Sequence, residues 1–344
     1  MKSSNKNLLE RLQNDIVLVA EGYVFELERR GYLKAGPFVP EVVLENPDAV
    51  RQLHNEFLRA GSDVVVACTY YGHRAKLKAI GQEDRLAELN IAALKIAAEA
   101  AADFSALVAG NLSNTWEYDP EVSPSVKAVR AIFDEQVGWA VGEKADFVIA
   151  ETFGHLGEAR LALESIKSGG LPAVITFSPA TGKSCDGYQW EDACKILQDE
   201  GADVVGLNCG NGPATMLPYL QKIRRKTDGH VAGLPVPYRT TAEQPCFQKL
   251  SLPESSTSFP ISLEPFLLTR YDMADYATRV REMGINYIGI CCGAGPHHVR
   301  AMAEALGRTP QASKYSPDMS LHPIFGDKDT REKHVECLLG PVDD

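Results

Sequence analysis

An α/β chain folded as a (β/α)8 TIM barrel is predicted by three observations. Eight short apolar runs rich in β-branched residues recur along the chain. Helix-like segments lie between most of them, and no linker divides the 344 residues. Strands that are apolar on both faces belong to a parallel sheet covered by helices, and eight such units in one chain point to a barrel. A doubly wound open sheet is the alternative, but no Gly-rich dinucleotide-binding turn follows the first run.

The runs read as strands are, in order, Ile16–Ala20, Val64–Ala67, Leu107–Gly110, Phe147–Glu151, Ala173–Phe177, Val204–Cys209, His230–Leu234 and Tyr287–Cys292. After the first, Val50, Leu53, Phe57 and Leu58 share one helical face. Before the last, Met273, Tyr276, Ala277, Val280 and Met283 do the same. Two stretches break the rhythm: GYLKAGPFVPE (31–41) and the Pro- and Ser-containing segment 235–269. Long loops after barrel strands usually cover the active site. The expected organisation is a lead-in over 1–14, a barrel over 15–308 and a C-terminal extension over 309–344. That extension is polar, charged and proline-containing, and is read as an oligomerisation element or as partly disordered.

The net charge of −11 argues against a dedicated binder of nucleic acid or anionic membrane. The N-terminus MKSSNKNLLERLQND lacks the apolar core of a secretory signal. No apolar run reaches the roughly 18 residues of a membrane span. Eight cysteines without an export signal read as reduced thiols, and the expected location is cytoplasmic.

Chemistry on a barrel sits at the C-terminal ends of the strands. The sixth run ends in GLNCG with Cys209, and the eighth in GICCG with Cys291 and Cys292. The first ends at Glu21, the second at Thr69, Tyr70 and Tyr71, and the fourth at Glu151. Strands six and eight flank strand seven, so their ends lie roughly 10 Å apart, within reach of inward side chains. Three thiolates with one open position fit a catalytic Zn2+ site, since structural sites usually have four protein ligands. Gly293 and Gly295 supply the freedom for neighbouring cysteines to face one ion. Buried packing and a redox pair remain as other readings, although redox motifs usually space their thiols as Cys-x-x-Cys. His297 and His298 are rival ligands, but behind Pro296 they fall in the first turn of a helix and read as exposed.

GLNCG and, some eighty residues on, GICCG resemble the homocysteine S-methyltransferases, and within them the betaine–homocysteine branch most closely. VFELERRGYLKAGPFVPE, NPDAVRQLHNEFLRAGSDVV, TYYGHRAKL and YIGICCGAGPHHVRAMAEAL carry the same likeness, over roughly residues 15–308. The resemblance implies that Cys209, Cys291 and Cys292 bind a zinc ion that takes the homocysteine sulfur as its fourth ligand. It implies that Glu151 holds the amino-acid ammonium and that Tyr71 faces the methyl donor. Onium donors are held by aromatic faces, and Phe38, Tyr70, Tyr71 and Phe153 are the candidates at strand ends and loops.

Departures from the family pattern cluster at the substrate side. Glu21-Gly22-Tyr23 stands where the family usually has Asp-Gly-Gly. Phe38 stands for the tryptophan of the donor loop, which removes an N–H donor. Thr152 replaces the tyrosine after the strand-four glutamate; Thr69 is kept, but Ala67 replaces a threonine. The expected partners are therefore homocysteine and a small-molecule methyl donor: glycine betaine, a related betaine or sulfonium, or S-methylmethionine. The other readings are a corrinoid-linked module and a non-catalytic zinc-binding barrel. A homo-oligomer is expected.

Overall fold

The computed structural model describes residues 7–252, 258–322 and 326. Among the described residues, eight strands are present: β1 (Val17–Ala20), β2 (Val64–Val66), β3 (Leu107–Ser113), β4 (Phe147–Phe153), β5 (Ala173–Phe177), β6 (Val204–Asn208), β7 (His230–Leu234) and β8 (Tyr287–Ile290). All pair in parallel in the order β1-β8-β7-β6-β5-β4-β3-β2. Twelve α-helices accompany them among the described residues: α1 (Leu8–Asn14), α2 (Tyr23–Arg29), α3 (Val42–Glu45), α4 (Pro47–Ala60), α5 (Arg74–Ala79), α6 (Leu86–Ala102), α7 (Ser123–Gly142), α8 (Leu156–Ser168), α9 (Trp190–Asp199), α10 (Pro213–Lys226), α11 (Arg270–Glu282) and α12 (Pro296–Ala305). The fold is the predicted (β/α)8 barrel.

A repeated local signal feeds the even strands. A left-handed residue (Gly61, Lys144, Gly201 or Gly284) stands two positions before Asp63, Asp146, Asp203 or Asn286, and the strand follows. Each aspartate braces the neighbouring odd strand with both backbone and side chain. Asp63 donates its N–H to the Leu18 carbonyl at 2.7 Å and accepts from the Leu18 N–H at 2.8 Å. Asp146 does the same for Val108, and Asp203 for Ala173. The Asp63 pair joins β1 to β2, the two ends of the ladder order, and so closes the barrel.

Helix burial follows the apolar spacing. Val50, Leu53, Phe57 and Leu58 face inward on α4, and Met273, Tyr276, Ala277 and Val280 do so on α11. α4 also buries His54, against the Tyr23 ring at 4.8 Å, with neither ring nitrogen hydrogen-bonded among the described residues. Burial pushes its pKa down to about 3. A folded pKa below the unfolded value of about 6.5 means that only the unfolded chain gains this proton as the pH falls. Stability should then drop by about 1.4 kcal/mol per pH unit between about 6.5 and 3. Denaturant unfolding at pH 7 and pH 5 checks this: His54→Leu should recover about 2 kcal/mol of the loss at pH 5.

Five strand ends differ from expectation, β2 stopping at Val66 rather than Ala67. β6 stops at Asn208 and β8 at Ile290, so all three candidate metal-binding cysteines stand just beyond the sheet. Cys209 is left-handed (φ 55°), and Gly293 is left-handed at 90°, so each chain turns there and cannot continue the ladder. β3 and β4 instead run three and two residues further than read, with an irregularity between Ala150 and Phe153. His298 is buried rather than exposed, since it accepts from the Gly295 N–H at 3.1 Å and its Nε2 lies 3.1 Å from the Leu268 carbonyl. Of the expected extension, 311–315 form a 3-10 turn, and Ser313 there donates to Glu304 of α12 at 2.8 Å. Residues 323–325 and 327–344 lie outside the described residues. Among the described residues no helix is long and apolar enough to cross a membrane.

Candidate active site

A cavity of about 420 Å³ opens at the C-terminal ends of the strands, with Glu21, Glu151, Cys209, Cys291 and Cys292 in its lining. The sulfurs of Cys209, Cys291 and Cys292 all lie within 4.8 Å of one another, and those of Cys291 and Cys292 are 3.9 Å apart. An ion with bonds of about 2.3 Å in tetrahedral geometry sets sulfurs about 3.8 Å apart, so the donor set fits one metal ion. Cys209 reaches this position from its left-handed turn, held by its N–H to the Leu234 carbonyl at 2.9 Å. Cys291 is anchored by its N–H to Pro235 at 2.9 Å. The thiols of Cys291 and Cys292 beside it hold Cys209 well below the ordinary thiol range, while their own protons are held more firmly. Three clustered thiols, two of them buried, thus share their protons unequally, as a cluster built to lose them to a cation would.

Beside the thiols lie two buried carboxylates. Oxygens of Glu21 and Glu151 lie within 4.8 Å of each other and of the Cys291 sulfur. Glu151 accepts from Asn111 and from Asn208 at 2.6 Å each, and from the Thr152 hydroxyl at 3.2 Å. Asn208 also reaches Glu21 at 3.4 Å, while its own oxygen accepts from the Thr152 N–H and the Thr176 hydroxyl, both at 2.9 Å. Burial pushes the Glu151 carboxyl up to about 7; burial first, then the Glu151 charge, raises Glu21 as well. Glu21 Oε1 has no hydrogen-bond partner among the described residues. A pair of desolvated carboxylates with an orphaned oxygen is the complement of a cation, and an ammonium group supplies both the charge and the missing donors.

Aromatic side chains form the outer part of the cavity. Phe25, Phe38, Phe247 and Phe259 make one wall: Phe25 lies 5.4 Å from Phe38, 5.7 Å from Phe247 and 6.2 Å from Phe259. On another side Tyr70 and Tyr71 meet at 4.4 Å, and the Trp116 indole N–H donates to the Tyr71 hydroxyl at 2.9 Å. The Lys76 ammonium lies 4.2 Å from the Tyr71 ring centre, so this surface already attracts a cation. Seven non-glycine described residues have a left-handed backbone, and five of them line this cavity: Phe38, Tyr71, Trp116, Thr152 and Cys209. Such conformations cost energy and persist where surrounding structure imposes them, typically at functional sites.

Of the residues singled out in the sequence, Glu21, Phe38, Tyr70, Tyr71, Glu151, Thr152 and the three cysteines line the cavity. Gly22 does not line it but lies directly behind: a Cβ there would meet the Cys291 carbonyl at 2.7 Å, so only glycine lets β1 and the cysteine loop approach. Thr69 is buried outside the lining, with its hydroxyl donated to the Asn111 carbonyl at 3.1 Å. Phe153 packs edge-on against Phe133 and is also outside. Sequence reading missed Asn111, Asn208 and Trp116. Asn111 interrupts the apolar run of β3, and Asn208 is the one polar residue of β6 and directly precedes Cys209 in GLNCG; those interruptions were a readable signal. Trp116 gave none, because it sits on an irregular loop after β3.

Comparison with known proteins shows the family. Residues 19–306 match the family described as homocysteine S-methyltransferase. Betaine–homocysteine S-methyltransferase 1 of Danio rerio is 38% identical, covering 90% of this chain and 79% of its own. S-methylmethionine–homocysteine S-methyltransferase BHMT2 of Rattus norvegicus is 35% identical, covering 93% and 86% respectively. In fold, the chain is similar to the metallated form of the homocysteine methyltransferase MmuM from Escherichia coli. That likeness has a TM-score of 0.67 at 21% identity and covers 85% of this chain and 96% of that one. On the family match and these relatives, the chain belongs to the homocysteine S-methyltransferase family.

Proposed function

We propose that this protein is a zinc-dependent S-methyltransferase that moves a methyl group from a small onium donor to the thiol of homocysteine, giving methionine. The observation that carries the reading is the convergence of three thiols from the ends of β6 and β8, beside a buried carboxylate pair, at the floor of an aromatic-walled cavity. Cys209, Cys291 and Cys292 would hold the metal. Bound there, zinc lowers the pKa of the acceptor thiol so that the sulfur is a thiolate at neutral pH.

The remaining work falls to the chain's own residues. Glu151, fixed by Asn111 and Asn208, receives the acceptor's ammonium group, and Glu21 adds the second carboxylate. Both lie within 4.8 Å of the Cys291 sulfur, which supports a pose with the short side chain of homocysteine directed toward the thiol cluster. Tyr71, Trp116 and Phe38 present aromatic surface to the donor's positive charge, each favourable contact contributing about 0.5–2 kcal/mol. Burial raises the pKa of the Tyr71 phenol, so it stays protonated and keeps its hydroxyl. The wall of Phe25, Phe247 and Phe259 excludes water, which suits a reaction in which a cationic donor and an anionic sulfur neutralise each other. In the transfer the sulfur–carbon bond forms as the donor's carbon–nitrogen or carbon–sulfur bond breaks. The donor leaves neutral at that centre with its bonding pair, and the acceptor's thiol proton passes to solvent.

Two relatives name different donors, betaine and S-methylmethionine, and both are small onium compounds with a carboxylate. A donor panel tests the reading: homocysteine with glycine betaine, a dimethylsulfonium betaine, S-methylmethionine, methylcobalamin and methylfolate, followed by product identification. Methionine is expected from at least one of the first three. Formation only from methylcobalamin or methylfolate would assign the chain to a corrinoid- or folate-linked role instead.

A further inference from the structure

The three thiols stand beyond the ends of their strands, where the bonds from Cys209 to Leu234 and from Cys291 to Pro235 tie the backbone of both turns to the end of β7 on one side only. A different set of contacts joins the two turns. Arg29, half-buried at the end of α2, donates from Nη1 to the Gly293 carbonyl at 3.1 Å. From Nη2 it donates to the Tyr238 hydroxyl at 2.7 Å, and its Nε lies 3.6 Å from Glu264. Gly293 directly follows Cys292 and is left-handed at 90°; a Cβ there would meet the Tyr238 hydroxyl at 2.2 Å, so the phenol rests on that backbone. The buried Tyr238 ring stacks on Phe247 at 5.7 Å and 8°. Phe247 in turn donates its N–H to the Gly210 carbonyl at 2.8 Å, and Gly210 directly follows Cys209. The path is continuous from one thiol-bearing turn to the other.

We infer that Arg29 is a positioning residue that, through Gly293 and Tyr238, sets the separation of the Cys209 turn from the Cys291–Cys292 turn. This rests on the reading of the three thiols as the metal site. A planar guanidinium suits the task because its fork holds two acceptors at a fixed spacing, which a single ammonium cannot reproduce. Arg29 is also outside the cavity lining, so it acts without touching either substrate. Its helix carries Phe25, which lies 5.7 Å from Phe247, so the same brace joins the aromatic wall to the thiol turns.

The test is the rate at which the zinc-loaded full-length protein loses its metal to a chromophoric chelator, with kcat and KM measured alongside. Arg29→Met is expected to release zinc at least tenfold faster and to lower kcat by about the same factor, with both KM values within about twofold of wild type. Arg29→Lys, which retains one contact, should fall between the two. Tyr238→Phe removes only a hydroxyl and should speed release several-fold, and combined with Arg29→Met it should add nothing further, since both cut one path. Wild-type release and kcat in Arg29→Met would overturn the inference; if that variant does not fold, wild-type release in Tyr238→Phe overturns it. A wild-type protein that binds no zinc would instead remove the function on which it rests, and the inference with it.

Discussion

Replacing Cys209, Cys291 or Cys292 with alanine is expected to lower kcat/KM by at least about a thousandfold, roughly 4 kcal/mol of transition-state stabilisation. Each change takes one of three thiolates from a site with no fourth protein sulfur among the described residues. The metal should be lost with it. Ordinary buried thiols provide the control. Cys194 is fully buried in α9, its pKa is raised by burial, and its sulfur has only a weak contact with the Gly206 carbonyl at 3.9 Å. Cys194→Ala should therefore cost some stability through lost packing and leave zinc content and kcat unchanged. Steady-state kinetics with metal analysis and thermal melts on the four variants separates a metal site from simple packing.

The second large effect is expected at Glu151. Glu151→Gln keeps the shape but removes the charge that we assign to the acceptor's ammonium group. The KM for homocysteine should rise about 100-fold, about 2.7 kcal/mol, with a smaller change in kcat. Stability should move the other way. Burial already pushes this carboxyl up to about 7, so the free protein holds an ionised group at a cost, and a neutral amide relieves it. Equal or higher thermal stability together with the raised KM marks a group kept for binding rather than folding. A raised KM for the donor alone would place the ammonium elsewhere.

The barrel was legible because its determinants are local and repeated. Apolar runs on both faces identify buried parallel strands, and the 3.6-residue spacing on α4 and α11 names the faces that pack on them. The cysteine constellation was legible for a topological reason: β6 and β8 flank β7, so their ends must converge. Strand ends were read less well at Cys209 and Cys292, where a left-handed residue at Cys209 and at the following Gly293 turns a chain that the apolar pattern would continue as strand. The carboxylate-binding asparagines went unseen although Asn208 sits inside a quoted motif. Their role depends on which face of the strand meets Glu151, and that register follows from the closed barrel, not from the stretch itself. Thr69 shows the opposite error. A polar residue at a strand end was read as facing the pocket, whereas its hydroxyl is spent on the Asn111 carbonyl of the next strand. Trp116 and Arg29 act through contacts with residues 45 and 264 positions away, which no local pattern encodes.

The central claim is that one metal ion held by Cys209, Cys291 and Cys292 activates the acceptor thiol. The most direct measurement is the zinc content of the purified protein, followed by activity after chelation and after zinc is restored. One zinc per chain is expected, with turnover lost in step with metal removal and regained on reconstitution. Full activity in protein shown to be metal-free would contradict the account.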